Sequence, residues 1–254
     1  MNNSYKNELT ANINNRGIVD VDTIKGCQYG LELNSNGCYG NCYACRNAKR
    51  FGRNFSKSII RKVNYKSNIL NKINKAITKS KLSFMRIGVM GDPSHAWEHT
   101  LRFCELVQPN QLELFFSPPR HIVIITKHWI VLTENQIDRF GRLKNVIFNT
   151  SISPLDTDEQ IRYRLQQYHR IKNKSILRIV SCDFNDSKLN QTQQWLFDNE
   201  YVIDNPLRCF KKHNLVISGK INIRPFGNQF ISQFNDETFT DKCKDCPDMC
   251  GVNS

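Results

Sequence analysis

Cys38, Cys42 and Cys45 stand in a CxxxCxxC pattern inside the run Gly37-Cys-Tyr-Gly-Asn-Cys-Tyr-Ala-Cys45. Thiolates are soft ligands that select iron-sulfur or zinc centres, and three of them on one Gly-containing loop suit three irons of a [4Fe-4S] cluster. The fourth iron would then lack a protein ligand. An open iron is a place for chemistry, whereas a closed tetrathiolate site holds structure or carries electrons.

A second group, Cys243, Cys246 and Cys250, forms CxxCxxxC within the last dozen residues. Three cysteines so close together point to a second metal site, either an auxiliary [4Fe-4S] cluster or a structural zinc. A closed site there needs a fourth ligand, and Cys27, Cys182, Cys209 and His213 are the candidates. Met1 to Arg16 does not read as a secretory signal, so the ten cysteines are expected to be reduced and to serve metal ligation, because disulfides are uncommon in the cytosol.

These residues need elements to hold them. The length of 254 residues suits one large domain. A polar tail over 1–18 leads into a core over 19–235, followed by a cysteine-bearing extension over 236–254. Val19 to Lys25 reads as a first strand, and Asn41 to Lys79 mainly as helix, with Leu70, Ile73 and Ile77 at helical spacing. Further strands are expected at Phe84 to Met90, His121 to Thr126, Val146 to Ile152, Ile176 to Cys182 and Leu215 to Ile223. Helices fall between them at Trp97 to Val107, Glu134 to Leu143, Asp156 to Ile171 and Thr192 to Asp198. Strands alternating with helices imply an α/β fold with a parallel sheet and right-handed crossovers. A barrel and a doubly wound sheet give much the same pattern.

In such folds the reactive groups collect where strands end. Gly91, Asp92, Pro93 and Ser94 follow the second strand, Lys127 and His128 the third, and Ser151 and Ser153 the fourth. Arg178 lies in the fifth strand, just before Ser181, Cys182 and Asp183.

The cysteine triplet, followed by Gly91-Asp92-Pro93 at a strand end, resembles the radical S-adenosylmethionine (radical SAM) superfamily. The common signature has an aromatic residue just before the last cysteine; here that slot is Ala44, with Tyr43 one place earlier. The resemblance implies a partial (β/α)6 barrel with a short C-terminal metal-binding extension. It implies that Cys38, Cys42 and Cys45 hold a [4Fe-4S] cluster, and that S-adenosylmethionine chelates the open iron. Reductive cleavage then yields a 5′-deoxyadenosyl radical that abstracts hydrogen from a substrate, with an electron donor such as flavodoxin or ferredoxin. Gly91, Asp92 and Pro93 are similar to the element that meets the cofactor's methionyl amino group, with Met90 and Asp92 replacing the first Gly and the Glu of Gly-Gly-Glu-Pro. Thr-Lys at the third strand, a Ser-x-x-Pro-like element at the fourth and an Arg in the fifth are similar to spore photoproduct lyase and its relatives. On that likeness Ser151, Ser153 and Arg178 bind the ribose and carboxylate. Cys182 is either a hydrogen-atom donor or, as a lone strand cysteine more ordinarily is, a core residue.

Charge bears on the substrate. The net charge is +13, and Arg46 to Lys81 carries twelve Lys or Arg with no Asp or Glu. A patch of this kind attracts polyanions, although a solvated helical face would look the same. With the likeness to the photoproduct lyase branch, it makes a nucleic acid or nucleotide the expected substrate, in modification or repair. A peptide or small molecule is the alternative, and a non-catalytic zinc-stabilised nucleic-acid-binding protein is the rival from another class. The longest apolar stretch, His121 to Leu132, is broken by Lys127 and is too short to span a bilayer, so no membrane role and a cytoplasmic location are expected.

Overall fold

Short runs of β-branched and aromatic residues alternate with capped amphipathic helices, and the chain winds accordingly. The computed structural model describes residues 8–14, 17–33, 36–40, 42–61, 69–80, 84–108, 119–209, 221–223, 230–232 and 234–235. The C-terminal Cys243, Cys246 and Cys250, the proposed 236–254 extension and His213 lie outside these residues. No described helix is long and apolar enough to cross a membrane.

The first part of the chain gives strands β1 (Ala11–Ile13), β2 (Val19–Val21) and β3 (Ile24–Lys25), then helices α1 (Gln28–Leu33) and α2 (Tyr43–Arg50). Strand β4 (Ile59–Ile60), helix α3 (Ile69–Lys79), strand β5 (Phe84–Ile87) and helix α4 (Trp97–Leu106) follow. Next come β6 (His121–Thr126), α5 (Glu134–Arg142), β7 (Val146–Ile152), α6 (Asp158–Arg170), β8 (Ser175–Ser181), α7 (Ser187–Asn199) and β9 (Val202–Pro206). Three short strands, β10 (Arg208–Cys209), β11 (Ile221–Ile223) and β12 (Phe230–Ser232), close the described chain.

The main sheet has seven strands in the order β1-β2-β5-β6-β7-β8-β9. Strand β1 runs antiparallel to β2, while the pairs β2–β5, β5–β6 and β8–β9 are parallel. From β2 the order passes over β3 and β4 to β5, and from β5 to β9 each strand lies beside the one before it in sequence. A three-stranded antiparallel sheet of order β10-β12-β11 and the β3–β4 pair stand apart from it.

The chain divides into two compact units, residues 1–148 and 149–254. In the first, Phe84, Met85 and Ile87 of β5 and Ile122, Val123 and Ile124 of β6 are buried, as strands covered on both faces should be. Trp97, Phe140 and Phe148 pack edge to face beside them. In the second, Ile161, Leu165 and Tyr168 of α6 and Leu196 of α7 pack on Ile152, Leu177 and Ile179, so both helices cover the same face of β7 and β8.

Local chemistry explains the helix starts. Thr133 with Gln136, and Thr157 with Gln160, form reciprocal capping boxes at α5 and α6. Asp186 accepts from the amides of Lys188 and Leu189 at α7, which extends well beyond the expected Thr192 to Asp198.

Three expected elements differ. The first strand over Val19 to Lys25 divides into β2, which joins the main sheet, and β3, which pairs with β4. The long helix over Asn41 to Lys79 is interrupted, because α2 ends in a Schellman motif: Gly52 adopts φ +60°, its N–H donates to Lys49 O and that of Arg53 to Ala48 O. The sixth parallel strand is Val202–Pro206 and not Leu215 to Ile223. Strand β9 lies at the sheet edge and is only half-buried for most of its length, so Asp204 and Asn205 are tolerated and no continuous apolar run marks it. Ile221–Ile223 belongs to the small antiparallel sheet, and 215–220 lie outside the described residues.

Candidate metal centre

The three clustered cysteines lie on a tight loop that requires its glycine. Gly37 has φ +81°, and a Cβ there would stand 2.3 Å from Cys42 Cβ and 3.3 Å from Cys42 Sγ. Cys42 N donates to Asn36 O at 3.0 Å, and Cys42, in extended conformation, caps the start of α2. The thiol of Cys42 makes no capping hydrogen bond, and burial, which outweighs the lowering influence of the nearby Ala44 and Cys45 amides, raises its pKa. Cys45, one turn into α2, is fully buried, and burial raises its thiol too.

A fourth thiol lies beside them. Cys27 follows β3, is 7% exposed, and accepts from Gly30 N–H at 3.4 Å. The position a Gly30 Cβ would take lies 3.1 Å from Cys38 Sγ and 3.3 Å from Cys27 Sγ, so these two sulfurs flank one small residue. Burial, and then the charges of Asp92 and Cys38, push the Cys27 thiol well up. Cys27, weighed from sequence as a ligand for the C-terminal group, thus neighbours the first triplet. Ala44, Ala48 and Phe55, with the half-buried Met90 and Trp129, form the apolar surround of Cys27, Cys42 and Cys45.

Backbone contacts tie this pocket to the strand ends. Gly26 pairs with Gly91 in an isolated parallel bridge, and Gly26 N donates to Met90 O at 3.0 Å. A Cβ on Gly91 would lie 2.7 Å from Gly26 O, so no larger residue fits there. On the other side Cys27 N donates to Phe55 O at 3.0 Å. Asp22 holds the neighbouring turn through Val89 and Met90 N–H, both at 2.8 Å, and burial raises its carboxyl to about 6.

Asp92 is buried and bound internally. Its Oδ1 accepts from Ser94 N at 2.9 Å and Thr126 Oγ1 at 2.8 Å, and its Oδ2 from Lys127 N at 2.7 Å. The carboxylate therefore joins the ends of β5 and β6, with most of its acceptor capacity already used. Pro93 starts the 3-10 turn that Asp92 caps. Lys127 brings its ammonium 4.1 Å from the centroid of the Tyr39 ring and bonds to the Tyr39 hydroxyl, which sets a cation over the cysteine loop.

Sequence reasoning did not foresee an aromatic stack here. Tyr29 of α1 stacks on His95 at 5.2 Å and 10°, and on Trp129 at 5.7 Å and 30°. Burial lowers the His95 pKa from the ordinary imidazole value, against the opposing charges of Asp92 and Glu32. The available signal was the position of His95 in Gly91-Asp-Pro-Ser-His95, three residues beyond the acid.

The second unit holds the other expected residues. Ile152, Leu177 and Ile179 point to the α6–α7 core, so strand alternation puts Ser151 and Arg178 on the opposite face of β7 and β8. Ser153 is buried, with Oγ donating to Val180 O at 2.8 Å and accepting from Leu155 N at 3.3 Å. Asp156 accepts from Ser153 N at 2.9 Å and pairs with Arg164, both side chains being 1% exposed. Cys182 is fully buried, its backbone held at both ends by the Gln193 amide, and its thiol approaches Asp183 O at 3.6 Å.

Among the described residues no group of three or more His, Cys, Asp or Glu is placed to hold a metal ion. A cubane makes a different demand, since each thiolate takes its own iron and the sulfurs need not meet at one point. The three soft donors, the loop that only glycine at position 37 allows and the apolar surround fit such a group. No protein-family model, curated protein or solved structure matches the chain.

Proposed function

We propose that this protein is a radical SAM enzyme, in which Cys38, Cys42 and Cys45 hold a [4Fe-4S] cluster and S-adenosylmethionine binds beside it. The observation that carries this reading is the clamp of the cysteine pocket onto the Gly91-Asp92-Pro93 turn through the Gly26–Gly91 bridge. The bound cluster would supply one-electron cleavage of the sulfonium, giving a carbon radical that takes hydrogen from the substrate.

The chain's own residues set the surroundings. Asp92 fixes the strand-end turn through its three donors, and the Met90 backbone is engaged by Gly26 and Asp22, so the Gly91 backbone is the proposed partner for the methionyl amino group. Lys127 holds positive charge over Tyr39 in the loop, and Phe55, Met90 and Trp129 exclude water from the thiols. Arg178 and Ser151, on the face away from the helices, are the proposed partners of the cofactor's carboxylate and ribose. Ser153 acts through the turn, since its hydroxyl is already bonded twice. For Cys182, burial favours packing over hydrogen donation. The C-terminal Cys243, Cys246 and Cys250 are proposed to hold a second [4Fe-4S] cluster, and flavodoxin or ferredoxin to supply the electron.

The order β2-β5-β6-β7-β8-β9, which advances along the chain without turning back, supports a partial (β/α)6 barrel over a doubly wound sheet, whose order reverses at its switch point. The proposed substrate is a nucleic acid, on the charge distribution. Residues 33–91 hold 13 Lys or Arg and no Asp or Glu, which is the whole of the net excess.

Anaerobic reconstitution with iron and sulfide, followed by reduction and addition of S-adenosylmethionine, tests this reading. Sulfur-to-iron charge-transfer absorbance and release of 5′-deoxyadenosine are expected, and both should vanish in C38A/C42A/C45A while C104A retains them. A colourless protein that binds zinc instead would overturn it.

A further inference from the structure

Helix α2 has two unlike faces. Ala44, Cys45 and Ala48 point inward to the thiol pocket, while Tyr43, Lys49 and Arg50 are exposed and the following turn exposes Phe51, Arg53 and Lys57. Tyr43 is 58% and Phe51 60% exposed. The Phe51 ring is flanked by two guanidinium groups, Arg50 at 5.8 Å and Arg53 at 5.4 Å from its centroid. The Schellman turn at Gly52 folds the backbone so that Arg53 lies beside Phe51. The Asn47 side-chain Nδ2 donates to the Tyr43 hydroxyl at 3.5 Å, and helical spacing places Tyr43, Asn47 and Phe51 along one stripe.

A single exposed aromatic needs no explanation. Two on one stripe, about 12 Å apart along the helix axis, amid cations and with no acid from 33 to 91, present flat apolar faces inside a positive field. Polyanions that lack rings would use the charge and leave the aromatics idle. Duplexes hide the faces of their bases. We propose that this stripe binds single-stranded nucleic acid, with an unpaired base stacked on Phe51, a second on Tyr43, and Arg50, Arg53 and Lys57 on the phosphates. The inference deepens the nucleic-acid reading of the substrate and rests on it. Because Cys42 caps the same helix and Cys45 lies in it, a strand held here is held next to the thiol pocket.

The test is fluorescence anisotropy of the full chain with labelled single-stranded DNA, single-stranded RNA and duplex DNA of mixed sequence, with heparin as a base-free competitor. Single strands should bind more tightly than duplex, and the DNA and RNA arms identify which sugar is preferred. With Arg50, Arg53 and Lys57 each neutralising one phosphate, log K against log salt should fall with a slope of about −2, and with about −0.7 in R50Q/R53Q. F51A should bind about ten-fold more weakly, and F51W should restore affinity because the stacking surface returns. Circular dichroism of F51A should match the parent, since the side chain is exposed. Equal affinity of F51A and parent, or a preference for duplex or heparin, would overturn the proposal. Binding is read without any cluster, so its failure leaves cluster loading and 5′-deoxyadenosine release intact, and their failure leaves binding intact.

Discussion

Replacing Gly37 by Ala should damage the cysteine loop far more than replacing Gly52 by Ala, and the difference can be worked from the structure. Both glycines have positive φ, +81° and +60°, so each substitution carries the left-handed penalty of about 1–2 kcal/mol. At Gly52 a Cβ meets nothing within 4 Å, and the cost ends there. At Gly37 the new Cβ would lie 2.3 Å from Cys42 Cβ, where carbon atoms prefer roughly 3.5–4.0 Å, so the loop must open by more than an ångström. Overpacking of this kind adds about 1–3 kcal/mol, for a total near 3 kcal/mol in G37A, or roughly 6–12 °C in Tm if the transition is two-state. Because Cys42 and Cys45 are the atoms displaced, iron bound per chain after reconstitution should fall in G37A and stay at the parental level in G52A. Thermal unfolding and iron content of the two variants are the measurements. A G37A protein matching G52A in both would show that the loop is not packed as described.

Further outcomes follow from the same geometry. Asp22 titrates near 6 in the folded protein, above its unfolded value, so the folded state holds the proton more tightly; the stability this gives is present below about pH 4 and lost as pH rises through 6. D22N, uncharged throughout, should gain on the parent by up to about 3 kcal/mol between pH 4 and 7 in urea titrations, and a pH-independent difference would refute the assignment. D92N keeps the acceptor for Ser94 and Thr126 but turns an amide toward Lys127 N–H, so a loss of about 2 kcal/mol is expected, with no loss counting against Asp92 as the joint between β5 and β6. R164M strands the buried Asp156 carboxylate and should cost about 3–5 kcal/mol, most of it recovered in D156N/R164M; equal stability of the single and double variants would contradict the buried pair.

Much of this was legible where a signal is local. The capping boxes at Thr133 and Thr157 announce α5 and α6, and the apolar runs of β5 to β8 lie where periodicity places them. The end of α2 was written in Gly52, but the Lys- and Asn-rich residues beyond it continue a plausible helical face, so the stop was easy to pass over. Strand β9 escaped because an edge strand does not need the apolar run that marks a central one. The place of Cys27 beside the first triplet was not legible for a different reason. Its neighbourhood depends on the Gly26–Gly91 bridge and on Gly30, contacts between segments far apart in sequence. Asp92 shows the converse: its type and place at a strand end suggest a ligand contact, and only the tertiary donors Thr126 and Lys127 reveal that the carboxylate is a joint.

The proposed chemistry and the proposed recognition meet on one short helix, for a physical reason. Eight residues are too few to hold a helix in water, so α2 persists only through the packing of its inner face. That face is made of Ala44, Cys45 and Ala48, which are small enough to let the helix sit close against Phe55 and Met90. Whatever orders the thiols therefore orders Tyr43, Arg50 and Phe51 on the outer face as well, because the helix has no other anchor of comparable burial among the described residues. A substrate gripped by that outer face would be positioned by the same backbone that positions the cluster ligands. Substitutions at Ala44 or Ala48 that push the helix outward should then weaken both functions together, whereas those at Phe51 weaken one alone.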